Sequence, residues 1–345
     1  VAAEVAFYDL AAQEPLLPVL FSQWYDYYQV VGLTVAERIG SPRCVLDVGC
    51  GIGVLTTFYA QQYPCSVFLG IDRSPASITA AQRKADELGL ANVRFSVADL
   101  DSTTVPGPFD LIIATHVLLQ SERDPGLPSR NWRTFERARD PVAQADFERR
   151  TGLGRRLDRL FEVLAPDGRM IVCEKTRHLG RRVPFQRALA ARGLRLLERP
   201  LPIRYAIIEE ITDDGPLYVL GRTEQAAIPW DESPEESHIR MDWSALATRA
   251  MEQKGFFYEN HTAAAQQAWL QLPERHIRQE TTREEADGRQ VHVELGESLG
   301  LTYLYCANTF DQRQLVVVAP EQAGILLQYY AEVVQGLDAT METKA

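Results

Sequence analysis

The sequence lacks any CxxC pair and any cysteine–histidine spacing of a zinc site; its five cysteines, Cys44, Cys50, Cys65, Cys173 and Cys306, stand in apolar or glycine-rich contexts. No metal site is expected, and the absence of a charged-then-apolar leader points to a reducing, cytoplasmic compartment. Long uncharged runs are equally scarce. The longest, Val48 to Ile71, is interrupted by Gly49, Gly51, Gly53 and Pro64, so it does not read as a membrane span. Basic charge is in deficit: 36 Lys and Arg against 47 Asp and Glu give a net charge of −11. That balance excludes broad attraction to nucleic acid or anionic membrane.

What charge there is lies unevenly. Glu122 to Arg199 holds 19 basic and 11 acidic residues, whereas Pro229 to the end holds 9 basic and 19 acidic ones. Solvated helix faces account for most of such a block, although an arginine-rich surface also suits an anionic substrate or the acidic tail.

The 345 residues are long for one domain and suggest two. Residues 1–40 read as a helical cap carrying Tyr8, Trp24, Tyr25, Tyr27 and Tyr28. Residues 41–225 alternate strands and helices: Cys44 to Val48, Ser66 to Ile71, Val93 to Val97, Phe109 to Ala114 and Arg169 to Glu174 are strand-like, with helical periodicity over 54–63, 75–88 and 153–164. Such alternation predicts an α/β fold with a mostly parallel sheet covered by helices on both faces. A Pro- and acid-rich linker is expected over 226–237. A smaller α+β module follows over 238–345, read as an antiparallel sheet with helices on one face.

The most informative stretch is Val45-Leu46-Asp47-Val48-Gly49-Cys50-Gly51-Ile52-Gly53, between a strand and a helix. Alternating glycines let the backbone turn sharply and approach a ligand at the carboxyl ends of the strands. Asp72 closes the next strand, where a carboxylate can accept hydrogen bonds from both ribose hydroxyls of an adenosine group. Asp99 ends the third strand, within reach of an adenine amino group. A dinucleotide site is disfavoured because the spacing is Gly-x-Gly-x-Gly and Asp47 would oppose a pyrophosphate.

This order of motifs resembles the class I, Rossmann-like, S-adenosylmethionine-dependent methyltransferases over about residues 20–225. The likeness extends to Leu164-Ala165-Pro166-Asp167-Gly168, similar to the turn before the family's fifth strand, and to Asp213-Asp214-Gly215-Pro216, similar to the hairpin into its last strand. The resemblance implies a seven-stranded sheet, S-adenosylmethionine as cofactor with S-adenosylhomocysteine as product, and a donor site of Asp47, Gly49, Gly51, Gly53, Asp72, Arg73, Asp99, Leu100 and Thr115.

Nucleobase and glutamine N-methyltransferases of this family carry an Asn/Asp-Pro-Pro-Tyr/Phe loop after the fourth strand. Here the loop is Ala114-Thr115-His116-Val117-Leu118-Leu119, closer to enzymes acting on small metabolites by in-line methyl transfer. His116 is the candidate general base, since an unperturbed imidazole changes charge in the neutral range; packing beside the cofactor is the competing role. Tyr8, Tyr25 and Tyr28 of the cap are candidate contacts to the substrate. Glu174, Lys175, Arg177 and His178 emerge after the fifth strand at the same sheet edge. A long insertion over 121–150 offers Asn131, Trp132 and Arg133 for substrate recognition. Two alternatives keep the cofactor: attack on another carbon, including cyclisation releasing methylthioadenosine, or binding without catalysis. The C-terminal module suits a homodimer contact or a carrier protein.

Overall fold

The computed structural model describes residues 2–119, 124–207, 210–222, 228–234, 240–253, 255–285 and 288–342. The chain divides into two compact units, Val1–Asp124 with Pro141–Trp230, and Pro125–Asp140 with Asp231–Ala345. The stretch 121–150, expected to form one insertion, is therefore split: 125–140 belongs to the second unit, and Pro141–Thr151 is a helix of the first. The start of that insertion and both ends of the expected 226–237 linker fall outside the described residues.

In the first unit, three helices lead: α1 (Ala2–Ala11), α2 (Leu17–Gln23) and α3 (Tyr25–Ile39). Tyr27, Val31, Val35 and Ile39 recur every four residues on α3 and are buried against the sheet. The sheet comprises β1 (Cys44–Val48), β2 (Val67–Asp72), β3 (Val93–Val97), β4 (Phe109–Thr115), β5 (Leu164–Cys173), β6 (Arg195–Leu196), β7 (Leu201–Ile207) and β8 (Glu210–Gly221). Its order is β3-β2-β1-β4-β5-β8-β6, with β7 also paired to β8. The connecting helices are α4 (Val54–Gln62), α5 (Pro75–Glu87), α6 (Pro141–Thr151), α7 (Leu153–Val163) and α8 (Leu179–Ala191). Strands β1 to β5 run parallel, and β8 is antiparallel to β5.

Eight strands fill seven positions across the sheet, because β6 and β7 lie end to end along β8. Pro200 between them has no N–H to give the ladder, which breaks one edge strand into two. A second departure concerns Asp213-Asp214-Gly215. Instead of forming a hairpin turn, it lies inside β8, where Ile203 pairs with Gly215 and Arg204 with Asp213, leaving Asp214 as the extra residue of a β-bulge.

The second unit holds β9 (Phe257–His261), β10 (His276–Glu284), β11 (Gln290–Ser298), β12 (Leu301–Asn308) and β13 (Arg313–Val318), with α9 (Trp243–Glu252), α10 (Thr262–Leu270) and α11 (Ala323–Glu342). All pairings are antiparallel, in the order β10-β11-β12-β13-β9. Helices pack on both faces, not one as expected. Tyr303, Tyr305, Leu315 and Val317 meet Trp243 and Trp269, while the alternating Leu304, Val316 and Val318 meet Leu326 and Tyr330 of α11. The apolar residues of β12 and β13 occur at both parities, so each face needs cover. Among the described residues no helix is long and apolar enough to cross a membrane.

Candidate functional site

A cavity of about 370 Å³ opens at the carboxyl ends of β1, β2 and β4 in the first unit. Its wall includes Asp47, Gly49, Gly51, Asp72, Arg73, Asp99, Leu100, Thr115 and His116, brought together from four segments of the chain, with Tyr8 of α1 and Tyr28 of α3. Gly53 is not in the wall. It starts α4 in a left-handed conformation, and a Cβ there would stand 2.7 Å from Ala81 Cβ. Tyr25 is 64% exposed and off the wall. Asn131, Trp132 and Arg133 also lie outside it; they belong to the second unit, where Trp132 is buried in an aromatic core.

The donor side is built from backbone and carboxylates. Asp72 Oδ2 accepts from Gly51 N at 3.0 Å and Oδ1 from Ser74 N at 2.8 Å. These bonds fix the carboxylate while leaving each oxygen a lone pair for a vicinal diol. Gly51 has φ +52°, and nothing stands within 4 Å of where its Cβ would be. The cradle is thus kept free of side chains at that point. Asp47 is 5% exposed and accepts from Thr56 Oγ1 at 2.5 Å. Burial pushes its carboxyl up to about 7; the Thr56 hydroxyl opposes this and the charge of Asp72 adds to it. A cation placed beside Asp47 would recover that cost. The Tyr59 hydroxyl, fully buried in the same wall, has no hydrogen-bond partner among the described residues. A diol acceptor, a carboxylate suited to an ammonium group and a side-chain-free glycine cradle fit S-adenosylmethionine.

The wall also carries His116, in a left-handed backbone conformation with φ +57°. Its N–H bonds Cys173 O at 2.8 Å. The next turn is held by Glu174, whose Oε1 accepts from Val117 N at 2.7 Å and Leu118 N at 2.6 Å. Burial raises the Glu174 carboxyl, against the opposing effects of His116 and these amides. Glu174, expected only to emerge at this sheet edge, is 1% exposed and organises the His116 loop. Arg156 adds a bond from Nη1 to Val117 O at 2.7 Å and an ion pair to Asp101 at 2.7 Å.

His116 Nε2 lies 3.1 Å from Asp214 Oδ2, within ion-pair distance, but makes no hydrogen bond of good geometry among the described residues. Asp214 is 5% exposed and also accepts from the Tyr205 hydroxyl. Its burial favours the neutral acid, but the neighbouring His116 and the Tyr205 bond outweigh this and hold the carboxyl below its ordinary range. Tyr27 packs beside both, with ring centroids 5.5 Å from His116 and 5.1 Å from Tyr205. Sequence reasoning missed Asp214, Tyr205, Tyr27 and Arg156. An Asp-Asp-Gly run signals a turn, and only the bulge register reveals that the middle residue points inward.

Residues 41–238 match the family model of a methyltransferase domain. The chain is 38% identical over 108 residues to an uncharacterised protein, RP028, of Rickettsia prowazekii, covering 29% of this chain and 41% of that protein. It is 36% identical over 80 residues to trans-aconitate 2-methyltransferase of Methylobacterium nodulans, covering 23% and 29%. The matched segments thus span less than half the length of these curated relatives. Similar solved structures include the N-methyltransferase NodS from Bradyrhizobium japonicum in complex with S-adenosylhomocysteine, at 17% identity and TM-score 0.39, covering 56% of this chain and 85% of that one. With more than half of its length matched by the methyltransferase-domain family model and its glycine loop and acidic strand ends around one cavity, the chain belongs to the class I S-adenosylmethionine-dependent methyltransferase family.

Proposed function

We propose that the protein transfers a methyl group from S-adenosylmethionine to an oxygen of a small molecule, with His116 as the general base. The observation that carries this reading is the placement of His116, backed by buried Asp214, in the same cavity as the donor-binding carboxylates. S-adenosylmethionine supplies an activated methyl on a sulfonium. The chain's own task is to orient the acceptor in line, exclude water and take up the proton. With Nε2 buried beside Asp214, the other imidazole nitrogen is the one left for an acceptor hydroxyl. Asp214 stabilises the imidazolium that forms, and Glu174 fixes the loop that carries the ring.

A small acceptor is favoured by the wall itself. Besides donor groups, it presents Trp24, Tyr27, Tyr28, Phe7 and Tyr8, and its two arginines are paired, Arg73 with Glu4 and Arg156 with Asp101. Such a surface suits an aromatic or apolar metabolite better than a polyanion. The acceptors named for the relatives are not carried over, since those matches span at most 41% of the relatives described. A methyl-deuterated donor incubated with a panel of phenols, catechols and hydroxy acids tests the reading by mass spectrometry. Labelled methyl ether together with S-adenosylhomocysteine is expected. Methylthioadenosine as the product would overturn it in favour of attack on another carbon.

A further inference from the structure

Strand β11 brings two ionisable side chains into the aromatic face of the second unit. His292 and Glu294 are 1% and 2% exposed, and alternation puts both on the side of Trp132, Trp269 and Tyr303. Charged or polar groups there are costly unless something holds them. Glu294 Oε1 accepts from Trp269 Nε1 at 3.0 Å and from the Tyr303 hydroxyl at 2.7 Å. Its Oε2 faces His292 Nε2 at 3.5 Å, too far for a good hydrogen bond. His292 Nδ1 is tied to Thr282 Oγ1 at 2.7 Å, and its ring stacks on Trp132 with centroids 3.5 Å apart. The ring is therefore fixed, yet Nε2 makes no hydrogen bond among the described residues. The register sets Glu280 of β10 directly opposite Glu294, with Thr282 opposite His292. One ligand atom from each of Glu280, His292 and Glu294 lies within 4.8 Å of the others.

We propose that Glu280, His292 and Glu294 bind a divalent transition-metal ion of the zinc class. One imidazole nitrogen and two carboxylate oxygens form a three-ligand set that leaves a coordination position open. The remaining atoms are already committed as outer supports: Thr282 fixes the imidazole, while Tyr303 and Trp269 hold the Glu294 oxygen not used for the metal. Arg275, stacked over Trp269, approaches that same supported oxygen at 3.9 Å. Exposed Glu280 provides the entry side. The ligands come from two strands paired in register, so no short spacing announces them, and the sequence-based expectation of no metal had no means of finding them. The site lies within the second unit and does not depend on the methyl-transfer reading.

Full-length protein dialysed against a chelator and titrated with zinc chloride by calorimetry tests this. One zinc per chain is expected. Glu280→Gln should weaken binding by at least about 10-fold while the circular dichroism and thermal midpoint of the metal-free protein stay those of the parent. His292→Ala should abolish binding, and Cys306→Ala should leave it unchanged. No saturable binding below about 1 mM, or binding that survives Glu280→Gln and Glu294→Gln but is lost with Cys306→Ala, would overturn the site.

Discussion

His116 occupies a backbone region that non-glycine residues enter at a cost of about 1–3 kcal/mol. The strain is sustained by the Cys173 bond to its amide and by Glu174 on the following two. If the imidazole takes the acceptor proton, His116→Ala should lower kcat by about 10²–10⁴-fold while the affinity for S-adenosylhomocysteine stays that of the parent. Asp214→Asn should lower kcat too, because the amide cannot stabilise the imidazolium; steady-state kinetics beside calorimetry separates the two effects. Asp47 makes a pH prediction. Its folded-state carboxyl, raised to about 7 from an ordinary 3.8, binds its proton more tightly than in the unfolded chain. The stabilising contribution is thus present in full below the ordinary value and is lost as pH rises through about 7. Asp72, Thr56, Cys50, Tyr59 and Tyr27 are polar or ionisable groups around it. A donor ammonium beside Asp47 favours the ionised form, so donor affinity should rise from pH 5.5 to pH 8, and Asp47→Asn should flatten that rise in a calorimetric series.

At the scale of elements, the loop between β1 and α4 separates structural from ligand-facing glycines. A Cβ on Gly49 would stand 2.0 Å from Val117 Cγ1, whereas one on Gly51 would meet no atom within 4 Å. Gly49→Ala should lower stability by at least about 1–3 kcal/mol, read as a drop in the urea midpoint. Gly51→Ala, strained only by its positive φ, should fold and lose donor affinity instead. The β1 and β2 elements were legible because inner parallel strands read as apolar runs, the edge strand β3 because Val93, Phe95 and Val97 alternate with polar residues, and an acidic residue stands at or just beyond the end of each. The bulge at Asp214 was not, since its register depends on the facing strand β7, distant in physical cause from the Asp-Asp-Gly signal. Trp132 was misassigned for a related reason: its position in sequence, beside the candidate site, said nothing about which core would bury it.

The whole molecule is two units with separate cores, one made by alternating strands and helices and the other by an antiparallel meander buried on both faces. Charge segregation at the level of the sequence marked these parts without assigning them. Two cores with distinct ligands should denature in more than one calorimetric transition, S-adenosylhomocysteine raising one and zinc the other; a single transition shifted by both would contradict that independence. The central claim, that the first unit's cavity is an S-adenosylmethionine site anchored by Asp72, meets its most direct test in calorimetric titration of S-adenosylhomocysteine into the parent protein and Asp72→Asn. One site per chain and a loss of at least about 10-fold on substitution are expected, as for charge-assisted hydrogen bonds to two hydroxyls. Equal binding by both proteins, or no binding by the parent, would contradict it.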